Sequence, residues 1–372
     1  MNILLLNSAR AFIGEAAHCL ALAHEFRARG HNVLLAVRAG FELEQRARAE
    51  GVPVLPLTFM GHFAPMADLR DARTIARVVR EQRIDIVHCH RGKDHWTATT
   101  ALLGRRGAPP VVRTRHVVMP MKPHALNRWL LRRRTAFVVA VSRMAADSLG
   151  PMRAMLGDRL RVIYSAADTA RFNPSRRSAE WRAAQGVPPD GLLVGMVARI
   201  QNIKGQRFFI EAAGRLAPRF PQARFLVAGR GHEHDFDRMR RQAEALGIAD
   251  RIIFHGWLDD VATAIASLDV SVLASLGSEG SSRISYETMA SGVPLVATTV
   301  GCIPEIAEDG ETALLAPPGD AEALAAAIAR LLESPGLRHD LAGRALAHVR
   351  GHHGLDRWVE DMLAVYRGVL AR

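Results

Sequence analysis

Two kinds of hydrophobic spacing alternate along the chain. Short runs that are mostly apolar, Ile3–Leu6, Asn32–Val37, Val54–Leu57, Asp85–His88, Val111–Arg115 and Phe137–Val141, read as strands. Between them lie longer stretches, such as 15–29 and 67–81, whose apolar residues recur at steps of three and four, as on one face of a helix. Strands apolar throughout, with helices between them, predict a parallel sheet covered on both faces. The pattern repeats in the second half at 192–198, 224–227, 252–255, 270–274, 295–298 and 313–315, and closes with helices expected at 321–332, 337–349 and 356–370. Asn173-Pro174 and Gly186-Val187-Pro188-Pro189 punctuate the region between the halves. The expectation is an α/β protein of two Rossmann-like parallel-sheet domains, 1–167 and 168–352, followed by a closing segment 353–372. Trp358, Met362 and Tyr366 form a candidate buried stripe on the last helix.

A length of 372 residues suits two domains that each bury a full core. No apolar run approaches the roughly 18 residues needed to span a bilayer. The opening MNILLLNSAR lacks the basic region and long apolar stretch of a signal peptide. Cys19, Cys89 and Cys302 are scattered and odd in number, as expected of reduced thiols in a cytoplasmic protein.

Charge divides the halves. Met1–Asp168 holds 26 Lys/Arg against 13 Asp/Glu, so the whole excess of a chain of net charge +12 lies there. Its densest patch, NRWLLRRRTAF, sets Arg128, Arg132, Arg133 and Arg134 around Trp129, Leu130 and Leu131. As a helix this suits an anionic membrane surface or a phosphorylated lipid acceptor, and it equally describes a solvated basic face. Nucleic acid is disfavoured, because aromatic residues do not interleave with the basic ones as stacking platforms require.

The most informative stretch is SEGSSRISYETMASGVPLVATTVGCIPE. Its order is strand, Ser/Gly loop, short helix ended by Gly292, and a second strand. Gly280, Ser281 and Ser282 fall at the helix start, where free backbone N–H groups and the helix dipole favour an anion such as a diphosphate. Glu279 is expected at the mouth of that seat and Glu287 one or two turns inside the helix. Two carboxylates beside an anion seat fit a ligand that also offers hydroxyls, such as a nucleotide sugar. Taken alone, acids near a helix start are common because the dipole favours them. Upstream, VGMVARIQNIKGQRFFIEAAGRL reads as a buried strand, a loop and a helix. Arg199 and Lys204 bracket the loop at the carboxyl end of the strand, where open α/β sheets bind ligands. Two cations there would clamp a diphosphate as it leaves.

Arg199, Lys204 and Gly205 as an Arg-x4-Lys-Gly element, with Glu279 and Glu287 as Glu-x7-Glu, resemble the donor half of the retaining family 4 (group 1) glycosyltransferases. These have the GT-B fold, two Rossmann-like domains across a cleft, and include lipopolysaccharide and exopolysaccharide biosynthesis enzymes. IDIVHCHRGKDHWTA, VVRTRH, FVVAVSRMA and RVIYSAADTARFNP follow in the family's order, so the resemblance runs nearly end to end. It implies retaining transfer from a nucleotide diphosphosugar, with UDP-sugars favoured, to a lipid-linked or saccharide hydroxyl. No metal cofactor is implied, and the enzyme would lie in the cytoplasm or at the inner face of the membrane. Glu279 would hold the donor sugar near the reacting carbon and Glu287 the ribose. Arg199, Lys204, Ser281, Ser282 and Arg283 would hold the diphosphate. His116, ending VVRTRH, stands where the family has a histidine contacting the sugar, and Gly14 where it has a glycine-rich turn for phosphate. The closing helix would cross back onto the first domain. Three departures stand out: Ser281-Ser282 in place of Phe-Gly after Glu-Gly, Ser165-Ala166-Ala167-Asp168 in place of Asn-Gly-Val-Asp, and Cys302 in place of a glycine.

Other groupings carry less. Gly229, with Gly256 and Trp257, is expected to shape the nucleotide pocket, since Gly229-Arg230-Gly231 lacks the rest of a dinucleotide fingerprint. Asp235-Phe236-Asp237 has the spacing of a metal-holding D-x-D but opens a helix, where acids are favoured. His88, His90 and His95 surround Cys89 without completing a tetrahedral metal set. Two other functions fit the fold class. One is a nucleotide-sugar 2-epimerase, which would change a donor supplied alone. The other is a non-catalytic subunit of a polysaccharide complex, for which the quartet Arg199, Lys204, Glu279 and Glu287 has no use.

Overall fold

A computed structural model describes residues 1–372. The chain forms two compact units, Met1–Ser165 with Asp356–Arg372, and Ala166–Leu355. The last helix, Leu355–Leu370, therefore belongs almost wholly to the first unit, while 353–355 stays with the second.

The first unit is built on a sheet ordered β3-β2-β1-β4-β5-β6-β7. Its strands are β1 Asn2–Asn7, β2 Asn32–Arg38, β3 Val54–Leu57, β4 Ile86–Cys89, β5 Val111–Arg115, β6 Phe137–Ala140 and β7 Leu160–Val162, all paired in parallel. Ile3 to Leu6 are fully buried, as a strand with helices on both faces must be. One face packs Leu4, Leu6 and Val87 against Ile75 and Ala98 of flanking helices. On the last helix Trp358, Met362 and Tyr366 are at most 5% exposed, and Tyr366 packs on Phe26. Tyr366 Oη is 2.6 Å from His88 Nδ1, and Thr114 Oγ1 holds the other ring nitrogen at 2.7 Å. β7 has no counterpart among the strands predicted from hydrophobic spacing. It is a three-residue edge strand with an exposed middle residue, so its sequence carries no apolar run.

The second unit repeats the plan in the order β10-β9-β8-β11-β12-β13. Here β8 is Leu192–Val197, β9 Ala223–Ala228, β10 Ile252–His255, β11 Val270–Leu273, β12 Leu295–Thr298 and β13 Leu314–Ala316, again all parallel. Val194, Phe209, Phe225, Leu324 and Ile328 fill one face of the sheet, and Leu193, Leu226 and Leu268 the other. Gly195 is required by that second layer, since a Cβ there would come within 2.4 Å of Leu268.

Each sheet reverses direction once, between β1 and β4 in the first and between β8 and β11 in the second. At such a switch the loops leaving the two central strands diverge and open a crevice beyond their carboxyl ends.

Candidate active site

In the second unit the loop after β8 meets the loop after β11. The first turns through a short 3-10 segment, Asn202–Lys204, and ends on Gly205 in the left-handed region at φ +78°. A side chain at 205 would collide with the Ala274 carbonyl, 1.9 Å from an ideal Cβ. That close approach delivers Lys204 to the end of β11. Its Nζ donates to Glu279 Oε1 at 2.5 Å, and Ser275 Oγ donates to the same oxygen at 2.6 Å. Glu279 is 4% exposed and so lies inside the site, not at its mouth. Lys204 and Ser275 cover its carboxylate, and a turn from the next strand covers its backbone. There Cys302 N–H donates to the Glu279 carbonyl at 2.8 Å, and a Cβ on Gly301 would lie 2.1 Å from that oxygen. Arg199, across the loop from Lys204, is exposed and its guanidinium takes part in no ion pair.

The segment between Glu279 and the next helix is bent sharply. Ser278 and Ser282 both have positive φ, +59° and +38°, conformations that a serine adopts at a cost of about 1–2 kcal/mol each. Ser282 is the N-cap of the helix Arg283–Ala290, and its hydroxyl turns to Ser285 Oγ at 2.9 Å instead of capping the helix. The first N–H groups of this helix thus have no capping side chain. Ser281 lies beside them. Arg283 pairs with Glu287 one turn on, at 3.1 Å, with Glu287 13% exposed. Along the chain, Glu279 with its Lys204 partner precedes a helix start that has no capping side chain, and the Arg283–Glu287 pair follows it.

Gly229, at the end of β9, has φ +148°, and a Cβ there would come within 1.9 Å of the Ala198 carbonyl. Its N–H donates to the carbonyl of Gly256 at 3.0 Å, which ties the turns after β9 and β10 together. Trp257 follows, 48% exposed, with the Arg230 guanidinium 4.5 Å from its ring centre. Asp235 and Asp237 lie in the first turns of the helix Glu233–Ala245 and pair with Arg238 and Arg240 at 2.7 and 2.8 Å. Each acid is thus taken up by an arginine of its own helix.

In the first unit, Gly14 is the first residue of the helix Gly14–Ala28, which has no side-chain cap. Next to it Asp94 is fully buried and accepts N–H groups from both neighbouring loops, Ser8 at 3.0 Å, His90 at 3.3 Å and Arg91 at 2.8 Å. Burial pushes its carboxyl up to about 6 against these hydrogen bonds and the nearby Arg113 charge. Arg91 reaches across to Glu15. His116 follows β5 with its Nε2 3.1 Å from His90 Nδ1, and burial first, then neighbouring imidazoles and Arg113, hold both rings well below the usual histidine range. His88 also packs on His90, with ring centroids 4.4 Å apart, but the nitrogens of His88 and His95 are held elsewhere. Thr114 and Tyr366 hold the first, Thr135 the second at 2.9 Å, and burial lowers each to about 3.

Ser275, Asp94 and Gly301 are not among the site residues named from the sequence. Ser275 stands four residues before Glu279 in a serine-rich loop, and only the folded turn selects it from Ser278, Ser281 and Ser282. Asp94 carried a signal in the form of an acid at the third position of a helix, where it can reach back to free N–H groups.

Comparison with known proteins shows the family and the fold. Residues 191–334 match the family profile "Glycosyl transferases group 1", and residues 14–171 match "Glycosyltransferase Family 4". The chain is 31% identical over 311 residues to D-inositol 3-phosphate glycosyltransferase of Acidothermus cellulolyticus, covering 77% of this chain and 68% of that one. It is 32% identical over 249 residues to the lipopolysaccharide core biosynthesis mannosyltransferase LpcC of Rhizobium leguminosarum bv. viciae, covering 66% and 68%. Its fold matches the crystal structure of HepE of Anabaena in complex with UDP and glucose with a TM-score of 0.82 at 22% identity, covering 98% of both chains. The protein belongs to the family 4 (group 1) glycosyltransferases, and its two parallel sheets make the GT-B fold. It is a glycosyltransferase that uses a nucleotide sugar, related to enzymes of lipopolysaccharide and exopolysaccharide biosynthesis.

Proposed function

We propose that this enzyme moves a sugar, with retention at the anomeric carbon, from a UDP-sugar to a hydroxyl of a lipid-linked or saccharide acceptor in cell-envelope glycan biosynthesis. The observation that carries the reading is the buried Lys204–Glu279–Ser275 cluster at the switch point of the second sheet, set before a helix start without a capping side chain. Lys204 and Arg199, with the N–H groups at Ser281, Ser282 and Arg283, take the charge of the departing diphosphate, so no metal ion is needed for that task. Glu279 accepts from sugar hydroxyls near the reacting carbon, and Glu287 accepts from the ribose. Gly229, Gly256 and Trp257 form the base pocket. The family resemblance assigns His116 to the donor sugar and the helix start at Gly14 to phosphate. The transition state is then an oxocarbenium-like sugar leaving a diphosphate. UDP is favoured as the carrier because HepE of Anabaena is known with UDP bound, and an envelope acceptor because a relative acts in lipopolysaccharide core synthesis.

The test is a panel of nucleotide sugars scored by thermal shift, then by transfer to lipid and saccharide acceptors in EDTA. A bound donor stabilises the fold by mass action. The expected result is a shift with UDP-sugars, no change in the donor when it is supplied alone, and transfer that survives chelation. Epimerised donor in the absence of acceptor, or activity lost in EDTA and restored by Mg²⁺ or Mn²⁺, overturns the reading.

A further inference from the structure

Three imidazoles converge in the first unit, and the roles above use only one of them. His18 comes from the helix Gly14–Ala28, His90 from the turn after β4 and His116 from the turn after β5. Each offers a ring nitrogen, and the three nitrogens lie within 4.8 Å of one another. The rings of His18 and His116 meet edge to face with centroids 4.7 Å apart, and those of His90 and His116 stack at 5.4 Å. His90 is 1% exposed, and its Nε2 is buried without a hydrogen-bond partner. A buried polar atom left in that state is uncommon and costs stability, so it needs a ligand or a reason.

We propose that His18, His90 and His116 form a three-nitrogen site for a divalent transition-metal ion, zinc foremost. Neutral imidazoles are the form that binds metal, and three of them with a fourth open position are a set that zinc accepts. Nitrogen donors select zinc, cobalt, nickel or copper over magnesium and calcium. Nitrogens at about 2.0–2.1 Å from one ion stand roughly 3.3 Å apart in a tetrahedron, so the widest separation closes by about 1.5 Å. A contact of 3.1 Å between His90 Nδ1 and His116 Nε2 already holds these two rings side by side. No carboxylate joins the set and Arg113 bears on His90 and His116 with its charge, so the site binds more weakly than a structural zinc. The consequence for activity rests on the function proposed above. A ring nitrogen of His116 given to a metal is withdrawn from the donor sugar, so the ion inhibits and is not a cofactor.

The experiment uses the full chain stripped with EDTA and dialysed, titrated with Co²⁺, whose tetrahedral complexes absorb visible light. One equivalent is expected to develop the d–d bands, and Zn²⁺ to abolish them. His18→Gln and His90→Gln, each checked for unchanged circular dichroism, should lose the bands, while His348→Gln in the other unit keeps them. A parent protein without bands, or bands that persist in both cluster variants, overturns the site. In parallel, Zn²⁺ should inhibit sugar transfer competitively with the donor, and His18→Gln should relieve that inhibition. Bands without inhibition support the metal site and remove His116 from the donor site instead.

Discussion

Lys204 and Glu279, 75 residues apart in the chain, form a nearly buried ion pair of 2.5 Å at the switch point of the second sheet, with side chains 18% and 5% exposed. Removing one partner of such a pair strands the other charge away from water, at a cost of about 3–5 kcal/mol. Arg199 has no such partner. The two cations of the proposed clamp therefore differ in what they do to the empty enzyme. Lys204→Ala is expected to lower both turnover and thermal stability. Arg199→Ala is expected to lower turnover alone, each rate falling roughly a hundred- to thousandfold. Transfer assays beside melting curves check this, and turnover within a few-fold of the parent in both variants removes the clamp.

Ser275 and Lys204 hold the same Glu279 oxygen, and in the proposed function Lys204 releases it to a diphosphate. With the lysine turned away, the serine hydroxyl is what still orients Glu279 Oε1. A hydrogen bond to a charged group contributes about 1.5–3 kcal/mol, so Ser275→Ala should lower kcat roughly ten- to hundredfold. The donor KM should change little, because the alanine leaves the cations and the helix start in place. Ser275→Thr should restore much of the rate. A kcat within a factor of two of the parent for the alanine variant would show that Glu279 needs no such support.

The buried histidines give the first unit an acid limit. His88 and His95 hold values of about 3 when folded, against an ordinary 6.5. Between those values the unfolded chain binds protons that the folded one refuses, so stability is complete above about pH 6.5 and lost as pH falls toward 3. Asp94 works the other way. Its carboxyl, raised from 3.8 to about 6, takes up a proton first in the folded state and so adds stability as pH falls through 6. Four histidines shifted down, His90 and His116 among them, outweigh Asp94 and Glu15, whose carboxyl burial also raises. Denaturant midpoints should fall from pH 6.5 to 4, and His88→Gln should flatten the slope by up to about 1.4 kcal/mol per pH unit. A midpoint independent of pH in this range would refute the assignment.

Mostly apolar runs made twelve of the thirteen strands and their helices readable, because a strand buried on both faces has few polar positions to interrupt it. β7 was hidden because it is only three residues long and exposes its middle one. Arg199, Lys204, Glu279 and Glu287 could be picked out because their spacing places them at strand ends and on one helix. What holds them there could not. The contact of Gly205 with Ala274, the turn at Gly301 and the choice of Ser275 depend on chain segments brought together by the sheet order. Ser282 illustrates both sides. The sequence has a serine where the family has glycine, while the backbone keeps a glycine-like φ of +38° and the hydroxyl turns to Ser285.

The basic patch of the first unit is arranged differently from its sequence. Leu130 and Leu131, expected among its apolar anchors, are each 1% exposed and pack inward. Arg134 is half-buried with its guanidinium 5.4 Å from the Trp129 ring centre. The face left to solvent on the helix Ala125–Arg133 carries Leu126 and Trp129 with Arg128, Arg132 and Arg133. Exposed apolar residues between arginines fit the interface of an anionic membrane, where each Arg contributes about 1 kcal/mol within a screening length of roughly 8–10 Å. No helix is long and apolar enough to cross a membrane. Replacing Arg128, Arg132 and Arg133 together with serine should weaken binding to phosphatidylserine or phosphatidylglycerol vesicles by roughly a hundredfold at low salt and flatten its salt dependence. Arg134→Ser should do less to binding and more to stability, since it removes a stacked side chain. Transfer to a soluble acceptor should be unchanged in the triple variant, as its arginines lie outside the residues assigned to the donor. Vesicle sedimentation across a salt series reads the result, and a triple variant that binds as the parent does would make the patch a solvated face.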